Sequence, residues 1–293
     1  MTAPNRPVLR YLGGKWRIAP WIIEHLPPHL VYAEPFGGAG SVLLQKPRST
    51  REIYNDLDGE LVHLFSVLRS DGAEELLRQV RMTPYALREF REAFAPVDPS
   101  LSIERARRLL VRSHMGHGTR GTGLAGSMGF RRDGMKGRTN TARNWATLDQ
   151  ELAAIGERMR GVLIEERPAI DVIRELDDAD VLIYLDPPYL PETRSGKRKL
   201  GEGYHTYGHE MSIADHVELL ETVRESRSQI IISGYSAPLY DNMLRDWDTR
   251  AIDARSHCNS PRTERIWLNA AASWGLAQHE LFNRVDARPK AFV

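Results

Sequence analysis

Two hydrophobic rhythms share this chain. Short, largely apolar runs at Leu30-Val31-Tyr32-Ala33, Glu52-Ile53-Tyr54, Val162-Leu163-Ile164, Val181-Leu182-Ile183-Tyr184-Leu185 and Gln229 to Ser233 have strand length without polar alternation, as strands buried on both faces do. Between them apolar residues recur at three- and four-residue spacing. Trp16, Ala19, Ile22, Ile23 and Leu26 form one such stripe, stopped by Pro27-Pro28; others run over Leu57 to Leu68, Ala169 to Leu176, Ser212 to Ser226 and Ser236 to Arg245. Val42-Leu43-Leu44 predicts the start of a further helix behind a run of glycines. Strands alternating with helices predict an α/β fold with a mostly parallel, doubly wound sheet. Trp247 to Arg255 and Arg262 to Asn269 flank a turn around Asn259-Ser260-Pro261, which predicts an antiparallel pair at the carboxyl end.

From about Asp71 the alternation is interrupted. Thr83 and Pro84 predict the cap of a helix through Phe94, and Ser102 opens another that carries Arg105, Arg107, Arg108 and Arg112. Eight glycines then fall between Gly116 and Gly137, too many for a regular element, so a basic loop or a long-connected hairpin is expected. Thr147 with Gln150 has the spacing of a capping box and predicts a helix to about Met159, after which strands resume. The division is one α/β domain from residues 1–79 and 147–293, with a helical, basic insertion at 80–146.

Composition adds limits. At 293 residues, with 41% hydrophobic and 27% charged residues, the chain has the make-up of a globular protein large enough for a core domain plus a lobe. Its single cysteine, Cys258, excludes an internal disulfide and points to a reducing, cytoplasmic setting. No apolar run approaches the roughly 20 residues of a membrane helix. The net charge of +1 conceals a concentration: Arg105 to Arg143 holds ten Lys/Arg against one acid, Asp133. Such an excess suits a polyanionic partner.

Chemistry gathers where strands end, because ligands of open α/β sheets sit at the carboxyl ends of strands. Val181 to Leu185 stops at Asp186-Pro187-Pro188-Tyr189. The prolines fix their own torsions and carry no amide hydrogen, so the Asp186 carboxylate and the Pro187 carbonyl can stand as two rigid acceptors. A planar amino group with two hydrogens fits that pair, and the Tyr189 ring can stack on the plane that bears it. Phe36-Gly37-Gly38-Ala39-Gly40 follows another strand; its glycines admit a ligand close to the backbone or allow close packing. Asp56 ends the next strand, where a carboxylate bridges ribose hydroxyls or caps a helix.

In order, Tyr11-Leu12-Gly13-Gly14-Lys15, Glu34-Pro35-Phe36-Gly37-Gly38-Ala39-Gly40-Ser41, Asn55-Asp56 and Asp186-Pro187-Pro188-Tyr189 resemble the motifs of Dam-type DNA adenine N6-methyltransferases. Ile231-Ile232-Ser233-Gly234-Tyr235 and Arg262-Thr263-Glu264 are similar to later parts of that family. The resemblance implies a Rossmann-like methyltransferase domain, S-adenosylmethionine as donor and double-stranded DNA as partner, with a monomer and a weak dimer both left open. By motif position it places Tyr11 and Lys15 at the methionine part of the donor and Glu34, Phe36, Gly37 and Gly38 around the pocket. Asp56 would take the ribose and Ile170 the donor adenine, where relatives often carry an aromatic ring. Asp186, Pro187 and Tyr189 would be catalytic, with Asp186 also touching the donor.

Under that reading an adenine flips out of the duplex and its amino nitrogen takes the methyl group directly, with no covalent intermediate. Arg120, Arg131, Arg132, Lys136, Arg138, Arg194 and Lys197 are the expected DNA contacts. Methylation at the cytosine N4 amino group is the nearest alternative, and Asp at the head of the tetrapeptide favours adenine. RNA methylation and a catalytically silent binding protein are further alternatives. Tyr204, His205, Tyr207 and His209 match no zinc spacing, so no metal is expected.

Overall fold

The computed structural model describes residues 4–10, 13–117, 129–132, 140–190, 210–255 and 261–286. A short helix α1 (Ala19–Ile23) leads to β1 (Val31–Glu34) and β2 (Arg51–Asn55), followed by α2 (Gly59–Leu68). Five helices come next: α3 (Ala73–Met82), α4 (Leu87–Glu92), α5 (Ser102–Met115), α6 (Thr141–Ala146) and α7 (Leu148–Met159). The chain returns to the sheet with β3 (Val162–Glu165), α8 (Ala169–Glu175), β4 (Val181–Leu185), α9 (Ile213–Glu225), β5 (Gln229–Gly234) and α10 (Pro238–Met243). It closes with β6 (Asp248–Arg255), β7 (Pro261–Leu268) and α11 (Ala270–Asp286).

The seven strands form one sheet in the order β3-β2-β1-β4-β5-β7-β6. β1 to β5 are parallel, and β7 runs antiparallel to both β5 and β6. This is the expected Rossmann-like architecture with its antiparallel carboxyl-terminal pair. β4 and β5 are buried at every position, which explains their unalternated apolar runs. Alternate side chains still part to opposite faces: Leu182 and Tyr184 join the core under α2, α5 and α7, whereas Ile183 and Leu185 join the core under α8 and α9. The strand order turns back between β1 and β4, so their carboxyl ends open a crevice at the switch point.

Four local expectations are corrected. Val42-Leu43-Leu44 begins no regular helix; bonds from Leu44 N to Gly40 O and Lys46 N to Val42 O close only turns, because Pro47 has no amide to continue them. Thr83 ends α3 instead of starting a helix, its hydroxyl donating to Gln79 O, and α4 begins only at Leu87. Thr147 makes no capping box; its hydroxyl faces Asn144 O and the Arg6 guanidinium, while Asn140 caps the preceding α6. The basic run on α5 is not a free cationic face. Arg105 and Arg112 pair with Glu60, Arg107 with Glu104 and Glu89, and Arg108 with Glu104. Glu104 lies one residue before the arginine-rich stretch, so the local excess of positive charge begins beside its own counter-ion.

Residue 80, where the sequence pattern starts the insertion, lies inside α3, and Val80, Phe90 and Leu109 share one core cluster with Leu61 and Leu64 of α2. The glycine-rich stretch returns on itself: Gly116 and Phe130 form an antiparallel bridge, with His117 N donating to Gly129 O at 2.8 Å. Helix α11, which the sequence pattern did not single out, lays Ala272 and Leu276 on the core beside β5.

Candidate active site

β4 delivers Asp186 to the switch-point crevice, where two other elements reach it. Lys15, from the turn before α1, is 3% exposed and sets its Nζ 2.6 Å from Asp186 Oδ1. The same ammonium donates to Gly13 O and to the Tyr189 hydroxyl. Ser233, on β5, donates to Asp186 Oδ1 at 3.0 Å. Asp186 Oδ1 thus holds two donors, whereas Asp186 Oδ2 and the Pro187 carbonyl accept none among the described residues.

Burial works against the charge of Lys15, yet Asp186 and Glu264 outweigh it and hold the ammonium above the usual lysine range. Glu264, on β7, accepts from the Tyr189 hydroxyl at 3.3 and 3.5 Å. The Tyr189 ring lies against Tyr235, centroids 4.5 Å apart. Tyr189 is therefore fixed at its hydroxyl by Lys15 and Glu264 and at its face by Tyr235.

A cavity of about 340 Å³ adjoins this cluster and is lined by Gly13, Lys15, Glu34, Phe36, Gly37, Gly38, Asp56, Ile170, Pro187 and Tyr189 among others. Asp56 anchors its loop, accepting from Gly38 N at 2.7 Å through Oδ2 and from Asp58 N at 2.8 Å through Oδ1. A carboxylate oxygen accepts more than one hydrogen bond, so these loop contacts are compatible with a hydroxyl donor from a ligand. The cap of α2 is Asp58, which accepts from Glu60 N, so capping does not fall to Asp56. Glu34 is buried, accepts from Tyr32 Oη and Leu43 N, and burial pushes its carboxyl up to about 7.

Gly37 has a second reason to be glycine. A Cβ there would lie 2.3 Å from the Tyr54 ring, so close packing alone forbids a side chain. Gly38 and Gly40 have positive φ of 51° and 65°, which turns the chain sharply beneath the cavity. Among the described residues the lining carries six acidic side chains, Glu34, Asp56, Asp58, Asp186, Glu210 and Asp215, against one ammonium, that of Lys15. Glycine corners often serve phosphates, but this balance favours a ligand with positive charge.

Of the expected DNA contacts, Arg131 and Arg132 are described. Their guanidinium groups make no ion pair among the described residues, and Arg131 is tied only by its backbone, to Met115 O and the Tyr85 hydroxyl. Arg120, Lys136, Arg138, Arg194 and Lys197 lie outside the described residues, as do Tyr11, Cys258 and the Tyr204 to His209 cluster. No group of side chains fit to hold a metal ion occurs among the described residues.

Sequence reasoning gave no role to Ser233, Tyr184 or Glu264. A signal existed for two of them. Ser233 interrupts an apolar strand next to its carboxyl end, and Glu264 shares the period-two face of Ile266 and Leu268 on β7, where an acid is out of place unless it has partners.

A mostly parallel sheet with a reversed β7, a cavity at the switch point and an acidic, proline-rich strand tip define a Rossmann-like methyltransferase. A family model of D12 class N6 adenine-specific DNA methyltransferases matches residues 11–257, and the chain belongs to that family. It is 28% identical over 260 residues to the DNA adenine methylase of Escherichia coli, covering 84% of this chain and 85% of that protein. The Salmonella typhi DNA adenine methylase is 27% identical over 257 residues, covering 83% and 84%. Over 75 residues the chain is 36% identical to the type II methyltransferase M.MjaIII of Methanocaldococcus jannaschii, which covers 22% of this chain and 26% of that protein. The reaction takes a methyl group from a donor to adenine in DNA. No helix among the described residues is long and apolar enough to cross a membrane.

Proposed function

We propose that the donor is S-adenosylmethionine, bound in the cavity at the carboxyl ends of β1, β2 and β4, and that Asp186, Pro187 and Tyr189 receive an adenine rotated out of double-stranded DNA. The observation that carries this reading is the adjacent pair of open acceptors, Asp186 Oδ2 and the Pro187 carbonyl, beside an anchored tyrosine ring. An exocyclic amino group brings the two hydrogens that such a pair requires.

The acid-rich lining fits a donor that carries a sulfonium and an ammonium. When bound, that donor supplies an electrophilic methyl carbon. Asp56 would accept the ribose hydroxyls, Ile170 would pack on the donor adenine, and Lys15 would face the methionine part, the role that the family resemblance also implies for Tyr11. Glu34, Phe36, Gly37 and Gly38 complete that wall. Asp186 and Pro187 draw the amino hydrogens into their plane, which aims the nitrogen lone pair at the methyl carbon. The new N–C bond forms as the S–C bond breaks with its electrons left on sulfur, and one amino proton leaves toward Asp186 or solvent. The aromatic pair Tyr189–Tyr235 returns on the order of 1 to 3 kcal/mol of stacking against a flipping cost of about a few kcal/mol.

The segment 80–146 is the target-recognition part on this reading, with Arg131 and Arg132 contacting phosphates together with Arg120, Lys136, Arg138, Arg194 and Lys197. The enzyme works in the cytoplasm, where its DNA lies. The test is to incubate duplex DNA with labelled S-adenosylmethionine, digest to nucleosides and identify the product. N6-methyladenine that disappears in Asp186→Ala is the expected result. N4-methylcytosine alone, or full turnover by Asp186→Ala, overturns the reading.

A further inference from the structure

Asp186 is held from behind by a chain of buried hydroxyls. Tyr184 Oη lies 2.8 Å from Ser233 Oγ, and Ser233 Oγ lies 3.0 Å from Asp186 Oδ1. Tyr184 is 3% exposed and Ser233 2%. The direction of the chain follows from its donors. A carboxylate only accepts, so the single Ser233 proton goes to Asp186, and Tyr184 must be the donor to Ser233. Leu185 O is a competing acceptor for that proton, but at 3.4 Å it is longer and uncharged. Burial, reinforced by the charge of Asp186, holds the Tyr184 phenol well above its usual range, so it keeps the proton it donates.

The sheet itself makes this meeting unavoidable. β4 and β5 are parallel neighbours whose last paired residues are Leu185 and Ile232, so the next step along each strand sets Asp186 beside Ser233. A carboxylate has a broad, two-fold torsion about its last bond, and one donor leaves it free to swing. Two donors from different elements, Lys15 from one loop and Ser233 from β5, fix Oδ1 and with it the direction of Oδ2.

We propose that Ser233, supported by Tyr184, is a positioning residue that aims Asp186 Oδ2 at the amino group of the target base. The proposal rests on the reading of Asp186 as the acceptor of that amino group. Ser233 does not line the cavity, so its effect belongs to the transfer step and not to binding. A purely structural pair that satisfies itself inside the sheet makes the opposite demand, a loss of stability with the transfer rate unchanged.

Single-turnover methyl transfer at saturating S-adenosylmethionine and duplex DNA separates the two. Ser233→Ala is expected to lower the rate about 10- to 100-fold, the range for a catalytic group misplaced by up to an ångström. Dissociation constants for DNA and for S-adenosylmethionine should stay within about twofold, and Ser233→Thr should recover most of the rate. Tyr184→Phe lowers the rate less, and the Ser233→Ala/Tyr184→Phe double variant is no slower than Ser233→Ala, because Tyr184 acts through Ser233. An unchanged rate in Ser233→Ala, or multiplied losses in the Ser233→Ala/Tyr184→Phe double variant, overturns the proposal. If Ser233→Ala does not fold, Tyr184→Phe decides alone, an unchanged rate counting against it. Wild-type transfer that survives Asp186→Ala defeats the parent reading instead, and that outcome is distinct from any result at Ser233.

Discussion

Lys15 Nζ lies 2.6 Å from Asp186 Oδ1, joining a loop before the first helix to the tip of a strand far along the chain. The pair is unequal in its surroundings, since the lysine side chain is 3% exposed and the aspartate 21%. Removing the lysine strands the partly desolvated Asp186 carboxylate and takes from Glu264 a cation that faces it as well. Lys15→Met should therefore lose about 3 kcal/mol of stability, the low end for a broken buried pair because Asp186 keeps some water. Urea unfolding measures the first effect; methyl transfer should fall with it, since Asp186 then has Ser233 as its only remaining donor among the described residues.

Glu264 holds Tyr189 through its hydroxyl at 3.3 Å. Loss of one such bond is worth about 1 to 1.5 kcal/mol, or roughly a tenfold change. Glu264→Ala should lower kcat/KM for DNA about tenfold, and Glu264→Gln, which keeps an acceptor, should recover most of it. Steady-state kinetics with varied DNA gives the answer; equal losses in both variants mean that the charge near Lys15 matters more than the bond to Tyr189.

Glu34 makes stability depend on pH. Burial raises its carboxyl from an ordinary 4.5 to about 7, so between those values the folded protein binds more protons than the unfolded chain. This contribution is full below 4.5 and is lost as pH rises through about 7, with a slope of up to ~1.4 kcal/mol per pH unit inside the window. Glu34→Gln should flatten that part of the curve. Denaturant midpoints from pH 4.5 to 7.5 (about half a unit apart) test it, and an unaltered slope would remove Glu34 as its source.

A methyl group on Gly37 would meet the Tyr54 ring at 2.3 Å. Tyr54 cannot yield readily, being buried against Phe65 and bonded through its hydroxyl to Gly38 O at 2.7 Å. Gly37→Ala is expected to destabilise by about 1 to 3 kcal/mol, as overpacking does, and to weaken donor binding because Gly38 moves with it. Thermal unfolding and calorimetric titration with S-adenosylmethionine read the two effects.

Arginines of segment 80–146 should divide into two groups. Arg131 and Arg132 make no ion pair among the described residues, so replacing both with Ala should weaken DNA binding and reduce the salt slope by about 0.9 for each phosphate that is no longer neutralised. Arg107, paired with Glu104 and Glu89, should instead affect stability and leave the slope unchanged. Binding measured over a range of salt separates them.

By itself the sequence determined the sheet and the charged and aromatic tips of its strands. The apolar runs of β1, β4 and β5 are long enough and pure enough that burial on both faces is their natural outcome, and the residues that follow a buried strand are chemically conspicuous. Asp186-Pro187-Pro188-Tyr189 and Asp56 were legible because each lies next to its own strand. Caps were not: Thr83 and Thr147 have the residue type for a helix start, but the hydroxyl of Thr83 turns back to Gln79 O and that of Thr147 meets Arg6 and Asn144.

Tertiary structure decided what meets across the fold. The arginines of α5 read as a charge excess along the chain, yet Glu60 from α2 neutralises two of them. Ser233 and Glu264 became part of the site only because strand order brings β5 beside β4 and β7 beside β5. Local pattern reports which face of an element is apolar. Which acid, hydroxyl or ammonium stands opposite depends on register and strand order, and these are fixed by long-range packing.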